Sequence, residues 1–590
     1  MMNKKNTGNA FDAGVFMRLM KFAQKYSWQF YLSVFAAILL SVFAAARPYL
    51  LKEIVDVHML ANKDAEGLLF YSLLVVAVLF VEVILQFIFI HSANWLGQHI
   101  ISDIRTVLFK HMLNFKMTYF DNSSVGKLVT RVVSDTETIA QFFSQGLFMI
   151  VSDVLKMLFI AVLMLYMNWQ LALIAFLVLP ILLYATRVFQ IAIKGAFQDV
   201  RKQVAELNGF VQERVSGMRI VQLFNREQIE QKKFIQINER HKDAQIRTVW
   251  YYSIFFPIAE ILSSIAVGLL VWYGGVQVAA GENVSVGDVI SFIMMAQMLF
   301  RPLRQIADKF NTLQMGMVAG NRVFEVLDTE SQIEKEGQVR AQNFKGVIEF
   351  DKVRFSYVKD QEVLKGISFK VKAGETVAIV GATGAGKSTI INLVNRFYEI
   401  QQGVISVDGV DVKEYILPTL RNEIAVVLQD VFLFSDSIYN NIVLNNTKVS
   451  LEEVIVAAKL IGVHEFIMSL PGGYSYNVRE RGVMLSSGQR QLISFLRAYV
   501  SKPSILILDE ATSSIDSYSE QLIQKATETI TQNQTSIIIA HRLTTVKNAD
   551  RIIVMDHGEI MEMGSHKELL EKEGFYKNLY DMQFASSEMA

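Results

Sequence analysis

The sequence predicts two parts, an all-α membrane domain of six spanning helices with long extensions beyond the membrane, followed by an α/β domain. Of the 590 residues, 52% are apolar and 19% are charged, below the roughly 25% of charged residues usual in soluble domains. The apolar excess lies before about residue 320. After about residue 347, short Val- and Ile-rich runs alternate with helical patterns, which is typical of an α/β domain.

The composition excludes several kinds of site. The chain has no Cys, so it forms no disulfide, no zinc-thiolate site and no iron–sulfur cluster. Its 57 basic and 57 acidic side chains leave a formal net charge of zero. That balance gives no support to nucleic-acid binding through a basic surface, and we expect no nucleic-acid partner.

The clearest membrane span covers residues 68–90, which carry one charged side chain, Glu82. At 1.5 Å per residue this run reaches about 34 Å, enough to cross a hydrocarbon core of about 30 Å. Five further apolar runs resemble it, at residues 28–51, 146–166, 171–185, 249–278 and 286–303. Only residues 167–170 separate the third run from the fourth, which predicts a short external turn.

Basic residues predict the orientation, since Lys and Arg are retained on the cytoplasmic side of a membrane. The segment between the fourth and fifth runs is rich in Lys and Arg, and so is the segment between the second and third. The connection around residues 281–283 has no basic residue. We therefore expect a multi-pass protein whose N-terminus and α/β domain are both cytoplasmic.

The first 27 residues lack a signal cleavage site and predict an amphipathic segment at the inner membrane surface. Arg18, Lys21 and Lys25 recur at helical spacing, while Leu19 and Ala23 share another face. The predicted divisions are an N-terminal segment over 1–27, a transmembrane domain over 28–327, a polar linker over 328–345 and the α/β domain over 346–590.

The two long connections on the inner side, 100–138 and 189–247, are patterned for helix with few breakers. The spans should therefore continue as helices well into the cytoplasm. Turn-prone residues at 121–126 and 216–217 interrupt these segments. Each interruption predicts a helical hairpin that presents a short element to a cytoplasmic partner.

The first landmark of the α/β domain is a glycine-rich loop between a buried-strand pattern at 376–380 and a helical pattern from residue 390. Its residues are Gly381, Ala382, Thr383, Gly384, Ala385, Gly386, Lys387, Ser388 and Thr389. The spacing and context are those of a phosphate loop. Backbone N–H groups converge on the phosphates, Lys387 supplies positive charge and the Ser388 hydroxyl can ligate Mg²⁺, which predicts bound ATP and Mg²⁺.

A second landmark is the apolar strand pattern 505–508, which ends in Asp509 and Glu510. Successive side chains on a strand point in opposite directions, so the two carboxylates have different roles. Asp509 is expected in the Mg²⁺ coordination sphere, and Glu510 is expected to polarise the attacking water.

Between these landmarks lies the run Leu485, Ser486, Ser487, Gly488 and Gln489. With this run the chain resembles the ATP-binding cassette (ABC) transporter family, whose LSGGQ signature it matches except that Ser487 replaces the first Gly. The resemblance covers nearly the whole chain, because six spans ahead of one cassette is the layout of half-transporter exporters, including multidrug exporters and the lipid A flippase.

The resemblance implies roles for four further residues that occur in the family's order. Tyr357 would stack on adenine, and Gln429 would contact Mg²⁺ and take part in catalysis. Asp516 would belong to the D-loop, and His541 would sense the γ-phosphate. The short run at residues 479–482, just before the signature, also matches the family.

The resemblance also implies a dimer and a transport cycle. ATP would lie between Lys387 and Ser388 of one chain and the signature residues Ser486 and Gly488 of a second half-transporter. The turns near 121–126 and 213–218 would be coupling helices that carry cassette closure to the spans. The implied function is ATP-driven export, or inner-to-outer leaflet flipping, of hydrophobic compounds, drugs or lipids across a bacterial inner membrane by alternating access.

Ionisable residues within the spans are the usual pointers to a transport pathway, and we expect Asp153 and Lys156, three apart on one helix, to neutralise each other. The remaining candidates are Glu82, Glu260 and Arg301. Met294, Met295 and Met298, with Phe255 and Phe256, could line an adaptable apolar cavity or simply pack.

Two functional alternatives stay open. The same fold could serve as an ATP-gated channel or regulator, which would not move cargo against a gradient. The chain could also be the catalytically competent half of a heterodimeric exporter in place of a homodimer. A soluble DNA-maintenance ATPase is excluded by the six spans, and the sequence does not specify the cargo.

Overall fold

The computed structural model describes residues 12–281, 284–331, 337–340, 344–444, 446, 448–509, 517–532, 534–540 and 546–583. The chain forms two compact units. The helical unit comprises Met1–Leu113 and Ser124–Glu330, and the α/β unit comprises Asn114–Ser123 and Ser331–Ala590. The predicted fold class, a six-helix membrane domain followed by an α/β domain, is confirmed.

Six helical segments of the described chain are long and apolar enough to cross a membrane. We call them spans 1 to 6: Ser27–Ala61, Ala65–Leu113, Val125–Met167, Trp169–Ser216, Glu227–Ala279 and Val286–Leu327. The 49 residues of span 2 would reach about 73 Å at 1.5 Å per residue. Since a hydrocarbon core is about 30 Å thick, more than half of this helix lies outside it.

Asn168 accounts for the tight link between spans 3 and 4. Its extended backbone ends the helix Phe148–Met167, and its side chain accepts hydrogen bonds from the N–H groups of Gln170 and Leu171, both at 3.1 Å. An Asn in this position satisfies backbone donors that a helix start otherwise leaves free. The predicted short turn therefore forms around a single capping residue.

Spans 1 and 6 are joined next to the connection that precedes span 6. The Asp56 carboxylate accepts hydrogen bonds from the Ser285 hydroxyl and, at 2.7 Å, from the Gly287 N–H. Span 1 extends ten residues beyond the predicted end at 51, and its last part, Ile54–Ala61, is a π-helix. This extension is what brings Asp56 to the start of span 6.

Two further contacts reinforce the junction. The Lys52 ammonium lies 2.8 Å from the Asp288 carboxylate, which is almost fully buried. The Ser291 hydroxyl donates to the Pro48 carbonyl at 2.6 Å. We call the five side chains Lys52, Asp56, Ser285, Asp288 and Ser291 the span 1–6 junction.

The N-terminal helix is Ala13–Gln24, capped by Asp12, and it buries Val15, Leu19 and Ala23. Its polar side is also engaged. The Arg18 guanidinium makes two hydrogen bonds to the Asp328 carboxylate, at 2.6 and 2.8 Å, beyond the end of span 6. The predicted amphipathic helix thus packs against protein along its apolar face.

Charged residues inside the spans pair between helices. Asp153 of span 3 accepts a hydrogen bond from Lys309 of span 6, and it also interacts electrostatically with Lys156 on its own helix, as expected. The Arg47 guanidinium of span 1 lies 3.7 Å from the Glu82 carboxylate of span 2. Residues three apart on a helix can interact, but here a more distant cation reaches the carboxylate more closely.

The α/β unit contains ten strands among its described residues. They are β1 Ile348–Phe355, β2 Leu364–Val371, β3 Thr376–Gly381, β4 Gln402–Val407, β5 Val410–Asp411, β6 Ile424–Val427, β7 Ile505–Asp509, β8 Thr535–Ile539, β9 Arg551–Asp556 and β10 Glu559–Gly564. One sheet has the order β2-β1-β4-β5 and is antiparallel. The other has the order β10-β9-β3-β8-β7-β6 and is parallel except for β10.

Helices cover the parallel sheet, whose strands β3, β7 and β8 are almost wholly buried, as expected for parallel strands. The described α-helices of this region are Lys387–Val394, Leu417–Asn422, Ile438–Val443, Leu451–Ile461, His464–Ser469, Ser487–Val500, Ser517–Thr531, His566–Glu571 and Phe575–Gln583.

Both predicted interruptions of the two long connections, 100–138 and 189–247, occur. The short helix Met117–Asp121 precedes the turn that leads into span 3, and it belongs to the α/β unit. Gly217 ends the helix Leu179–Ser216, and a second short helix, Met218–Leu223, follows it within the helical unit. The chain therefore reverses where turn-forming residues were concentrated.

Candidate nucleotide site

The phosphate-loop residues follow β3 and lead into the helix Lys387–Val394. Gly381 allows a close backbone approach, since a Cβ there would lie 2.1 Å from the Met555 carbonyl oxygen. Gly386 has a φ of 96°, a left-handed conformation that favours glycine. Both glycines are therefore required by the path of the loop, which keeps Ala382, Thr383 and Gly384 exposed.

Lys387 is folded back onto its own loop. Its ammonium donates hydrogen bonds to the carbonyl oxygens of Gly381 at 2.7 Å and Ala382 at 2.9 Å, and the residue is only 7% exposed. Burial lowers the pKa of Lys387, and the negative charge of Asp509 partly opposes that shift. A phosphate anion offers this ammonium a stronger, charge-assisted partner than the two neutral carbonyls.

Ser388 and Asp509 meet at the end of the parallel sheet. The Ser388 hydroxyl donates to the Asp509 carboxylate at 3.4 Å. Gln429 is exposed two residues beyond Val427, whose strand pairs with β7 so that Val427 lies opposite Leu508. The carboxyl ends of parallel strands meet at one edge, so Ser388, Gln429 and Asp509 offer hydroxyl, amide and carboxylate oxygens on the same side, a donor set that suits Mg²⁺.

Tyr357 lies beside the first turns of the phosphate-loop helix. Its hydroxyl donates to the Thr389 hydroxyl at 3.3 Å and accepts from the Asn392 amide at 3.0 Å. The side chain of Tyr357 keeps contact with solvent, with 43% of the residue exposed. An aromatic ring held by two hydrogen bonds and still accessible is a suitable platform for a nucleobase.

The signature residues form the start of the helix Ser487–Val500. Ser486 is its N-cap: the Ser486 hydroxyl accepts from the Gln489 N–H at 3.2 Å, and the Gln489 side chain accepts from the Ser486 N–H at 2.9 Å. Leu485 and Gly488 are buried, whereas Ser486 and Ser487 are exposed. The result is an exposed helix N-terminus with two hydroxyl groups, which favours an anion.

The backbone just before the signature is unusual. Arg479 and Arg481 have φ angles of 58° and 54°, and Gly482 has a φ of 67°. Non-glycine residues are uncommon in this left-handed region, and they persist where surrounding structure holds them. Leu433 is one such neighbour, since a Cβ on Gly482 would lie 2.9 Å from its Cδ1 atom.

Three predicted site residues, Glu510, Asp516 and His541, lie outside the described residues. Their neighbours are described: β7 ends at Asp509, and β8 is followed by Ala540. Among the described residues, hydrogen bonds and ring contacts bring together Tyr357, Lys387, Ser388, Thr389 and Asp509 with the loop. The signature residues make hydrogen bonds with residues at the start of their own helix, Ser487–Val500.

Two residues near the site were not predicted from the sequence. Asn392 shares a helix face with Thr389, and that spacing of three was a usable signal. Tyr398 lies edge-on to Tyr357, with ring centroids 5.0 Å apart. No local pattern could have indicated Tyr398, because its hydrogen-bond partner, Asp121, is 277 residues away in sequence.

Family comparisons agree with this arrangement. The family of the ABC transporter transmembrane region matches residues 30–303, and the ABC transporter family matches residues 364–513. An ATP-dependent lipid A-core flippase of Desulfotalea psychrophila is 36% identical over 95% of this chain and 97% of its own length. The chain belongs to the ABC transporter family.

Two other relatives broaden the picture of this ABC transporter. An ATP-binding/permease protein of Bacillus subtilis named for multidrug export is 34% identical over 97% of this chain and 99% of its own length. An uncharacterized ABC transporter ATP-binding protein from the same organism is 37% identical over 84% of this chain and 82% of its own length. The protein is therefore a multi-pass membrane ATPase that couples ATP binding and hydrolysis to transport.

Proposed function

We propose that this ABC transporter exports hydrophobic or amphipathic compounds, drugs or lipids, or flips them from the inner to the outer leaflet. The observation that carries the proposal is the fusion of six membrane spans with one phosphate-loop unit in a single chain. Relatives named for lipid A-core flipping and for multidrug export match over nearly the full length and support it.

In the proposed site, Tyr357 stacks on adenine, and the loop residues 381–389 bind the phosphates of ATP. Lys387 leaves the carbonyls of Gly381 and Ala382 to contact phosphate. The residues that would hold Mg²⁺ are Ser388, Gln429 and Asp509. When bound, Mg²⁺ neutralises charge on the phosphate oxygens.

Hydrolysis is assigned to residues that follow the strands of the parallel sheet. Glu510, directly after β7, holds the attacking water and accepts its proton. His541 contacts the γ-phosphate, and Gln429 positions the water. These roles follow from the family resemblance and from the place of each residue in the sequence, shortly after a strand of the parallel sheet.

We propose that two copies of the chain assemble head to tail. The exposed N-terminus of the signature helix, with Ser486 and Gly488, then contacts the γ-phosphate bound by the partner. Asp516 is assigned to the D-loop, at the contact between the two copies. Cassette closure on ATP opens the cavity outward and hydrolysis resets it, which is alternating access.

The proposed location is a bacterial inner membrane with the N-terminus and the cassette in the cytoplasm. The basic segments between spans 2 and 3 and between spans 4 and 5 support this orientation. The proposed functional divisions are 1–27, 28–327, 328–345 and 346–590.

The proposal is tested by measuring ATPase activity of the purified chain in lipid nanodiscs, with Glu510→Gln as the blank, against a panel of lipids and hydrophobic drugs. Glu510-dependent turnover by the chain alone supports a homodimer, and a compound that stimulates turnover becomes the leading cargo. A folded but inactive chain contradicts the homodimer and indicates a second, non-identical half. ATP-dependent activity without net movement of cargo in vesicles favours a channel or regulator.

A further inference from the structure

The short helix Met117–Asp121 lies between span 2, which ends at Leu113, and span 3, which begins at Val125. Although both flanking spans belong to the helical unit, residues Asn114–Ser123 belong to the α/β unit. The Lys116 N–H also donates to the Ser331 carbonyl of that unit at 2.7 Å. We call Asn114–Ser123 the inner segment. At its two ends the inner segment is continuous in sequence with span 2 and, through Ser124, with span 3.

One side-chain hydrogen bond stands out in the inner segment. The Tyr398 hydroxyl donates to the Asp121 carboxylate at 2.6 Å. Burial raises the pKa of Tyr398, and the bond to Asp121 raises it further. The hydroxyl therefore stays protonated at physiological pH, and the carboxylate accepts a short, charge-assisted hydrogen bond.

Tyr398 also contacts the proposed base platform. Its ring meets that of Tyr357 at 5.0 Å and 88°, an edge-to-face arrangement. Phe355, which is almost fully buried, supports both rings from 4.8 Å and 5.9 Å. Such aromatic pairs prefer this geometry, and the packed Phe355 limits how the two tyrosines can move independently.

The contacts continue to the phosphate loop. The Tyr357 hydroxyl bonds to Thr389 at 3.3 Å and to Asn392 at 3.0 Å, both on the helix that begins at Lys387. A continuous series of side-chain contacts therefore runs from Asp121 through Tyr398 and Tyr357 to Thr389. A cavity of about 280 Å³ lies alongside, lined by Lys116, Thr118, Arg396 and both tyrosines, so the rings have space to shift.

We propose that Tyr398 is a positioning residue that links the nucleotide platform Tyr357 to the inner segment through Asp121. ATP stacked on Tyr357 fixes that ring, Tyr398 follows it, and the hydrogen bond carries the change to the helix Met117–Asp121. This inference rests on the proposed nucleotide site and adds a specific route from that site to two spans. Coupling between two sites is reciprocal. If the spans fix the position of the inner segment, the affinity of the nucleotide site for ATP therefore changes as well.

The test uses Tyr398→Phe, which removes the hydroxyl and keeps the ring, and Asp121→Ala, which removes the acceptor. Tyr439→Phe is the matched control, because its hydroxyl donates to the Val449 carbonyl at 2.8 Å elsewhere in the same unit. Hydrogen exchange is followed by mass spectrometry in nanodiscs of phosphatidylethanolamine and phosphatidylglycerol. Peptides covering 114–123 and 381–389 are compared with and without ATP, all in the Glu510→Gln background.

We expect ATP to slow exchange in both peptides of the reference protein and of the Tyr439→Phe control. In Tyr398→Phe and in Asp121→Ala, the 381–389 peptide should keep its response, while the response of 114–123 is lost. The double variant should lose no more than either single variant, because both remove one interaction. Thermal unfolding of each variant is measured alongside, and a loss confined to 114–123 in a normally stable protein separates positioning from a general structural role.

Either of two results overturns the inference. In the first, the inner segment does not respond to ATP in the reference protein although the phosphate loop does. In the second, its response survives in Tyr398→Phe. Failure of the nucleotide site itself looks different, since the 381–389 peptide would then show no protection by ATP in any variant.

Discussion

The ammonium of Lys387 is hydrogen-bonded to the carbonyl oxygens of Gly381 and Ala382, two residues of the loop that precedes it. The charge that is proposed to bind a phosphate is thus held by neutral carbonyl groups of the same loop. Because the carbonyls are weaker partners than an anion, the side chain can move to a phosphate with a gain in interaction energy. In the proposed site, these backbone contacts hold the ammonium where an incoming phosphate can replace the carbonyls.

Lys387→Ala should weaken ATP binding by about 10- to 100-fold, since a hydrogen bond to a charged group contributes about 1.5–3 kcal/mol. Binding is measured by calorimetry on the purified protein. Lys459→Ala, an exposed lysine on the helix Leu451–Ile461, serves as the control and should bind normally. Equal affinities in the two variants would remove Lys387 from the phosphate site.

Glu510→Gln should retain ATP binding and lose steady-state turnover, because an amide cannot accept the proton of the attacking water. Binding and phosphate release are measured on the same preparation. The neighbouring variant Asp509→Asn gives a contrast, since it should also weaken Mg²⁺-dependent binding. Unchanged turnover in Glu510→Gln would contradict the proposed role of that carboxylate.

Ser486→Ala should lower both stability and ATPase activity. Loss of an N-cap costs about 1 kcal/mol, and the variant also removes an exposed hydroxyl from the signature helix. Ser450→Ala is a closely matched control, because Ser450 caps the helix Leu451–Ile461 with the same reciprocal pattern, using Glu453.

Thermal unfolding and ATPase rates are compared for the two capping variants. Both should lose similar stability, but only Ser486→Ala should lose activity beyond what that destabilisation explains. Parallel losses of activity would show that Ser486 acts through its cap alone.

Gly381→Ala should prevent the loop from adopting its path, because the added Cβ would lie 2.1 Å from the Met555 carbonyl. We expect a loss of stability of about 1–3 kcal/mol, typical of overpacking, together with loss of ATP binding. Gly384→Ala is the comparison, since nothing lies within 4 Å of a Cβ there and only its φ of 87° causes strain. Thermal unfolding with and without ATP distinguishes the two variants, and equal stability would contradict the steric argument.

The sequence was sufficient for features that depend on local pattern. The six spans were predicted from run length and lack of charge, and the phosphate loop from glycine spacing after a strand. The turn at Asn168 was likewise visible as a short polar interruption. These features are local because the residues that produce them are neighbours in the chain.

The remaining features depend on which distant segments meet. Span 1 was predicted to end at residue 51, but it continues to Ala61 because Asp56 finds hydrogen-bond donors at the start of span 6. The second partner of Asp153, Lys309 of span 6, was not predicted. The contact between Tyr398 and Asp121 likewise depends on the fold of the α/β unit, because the two residues are far apart in sequence. No sequence pattern specifies such pairs, since packing between elements decides them.

The span 1–6 junction bears on how quickly this transporter can change shape. Parting the two spans there would leave the carboxylates of Asp56 and Asp288 and the ammonium of Lys52 without these partners. Unpaired charges are costly near hydrocarbon. An opening that separates these ends must therefore break these contacts, whereas one that moves both spans together keeps them. In the first case the junction opposes the opening, and a weakened junction would make that opening faster.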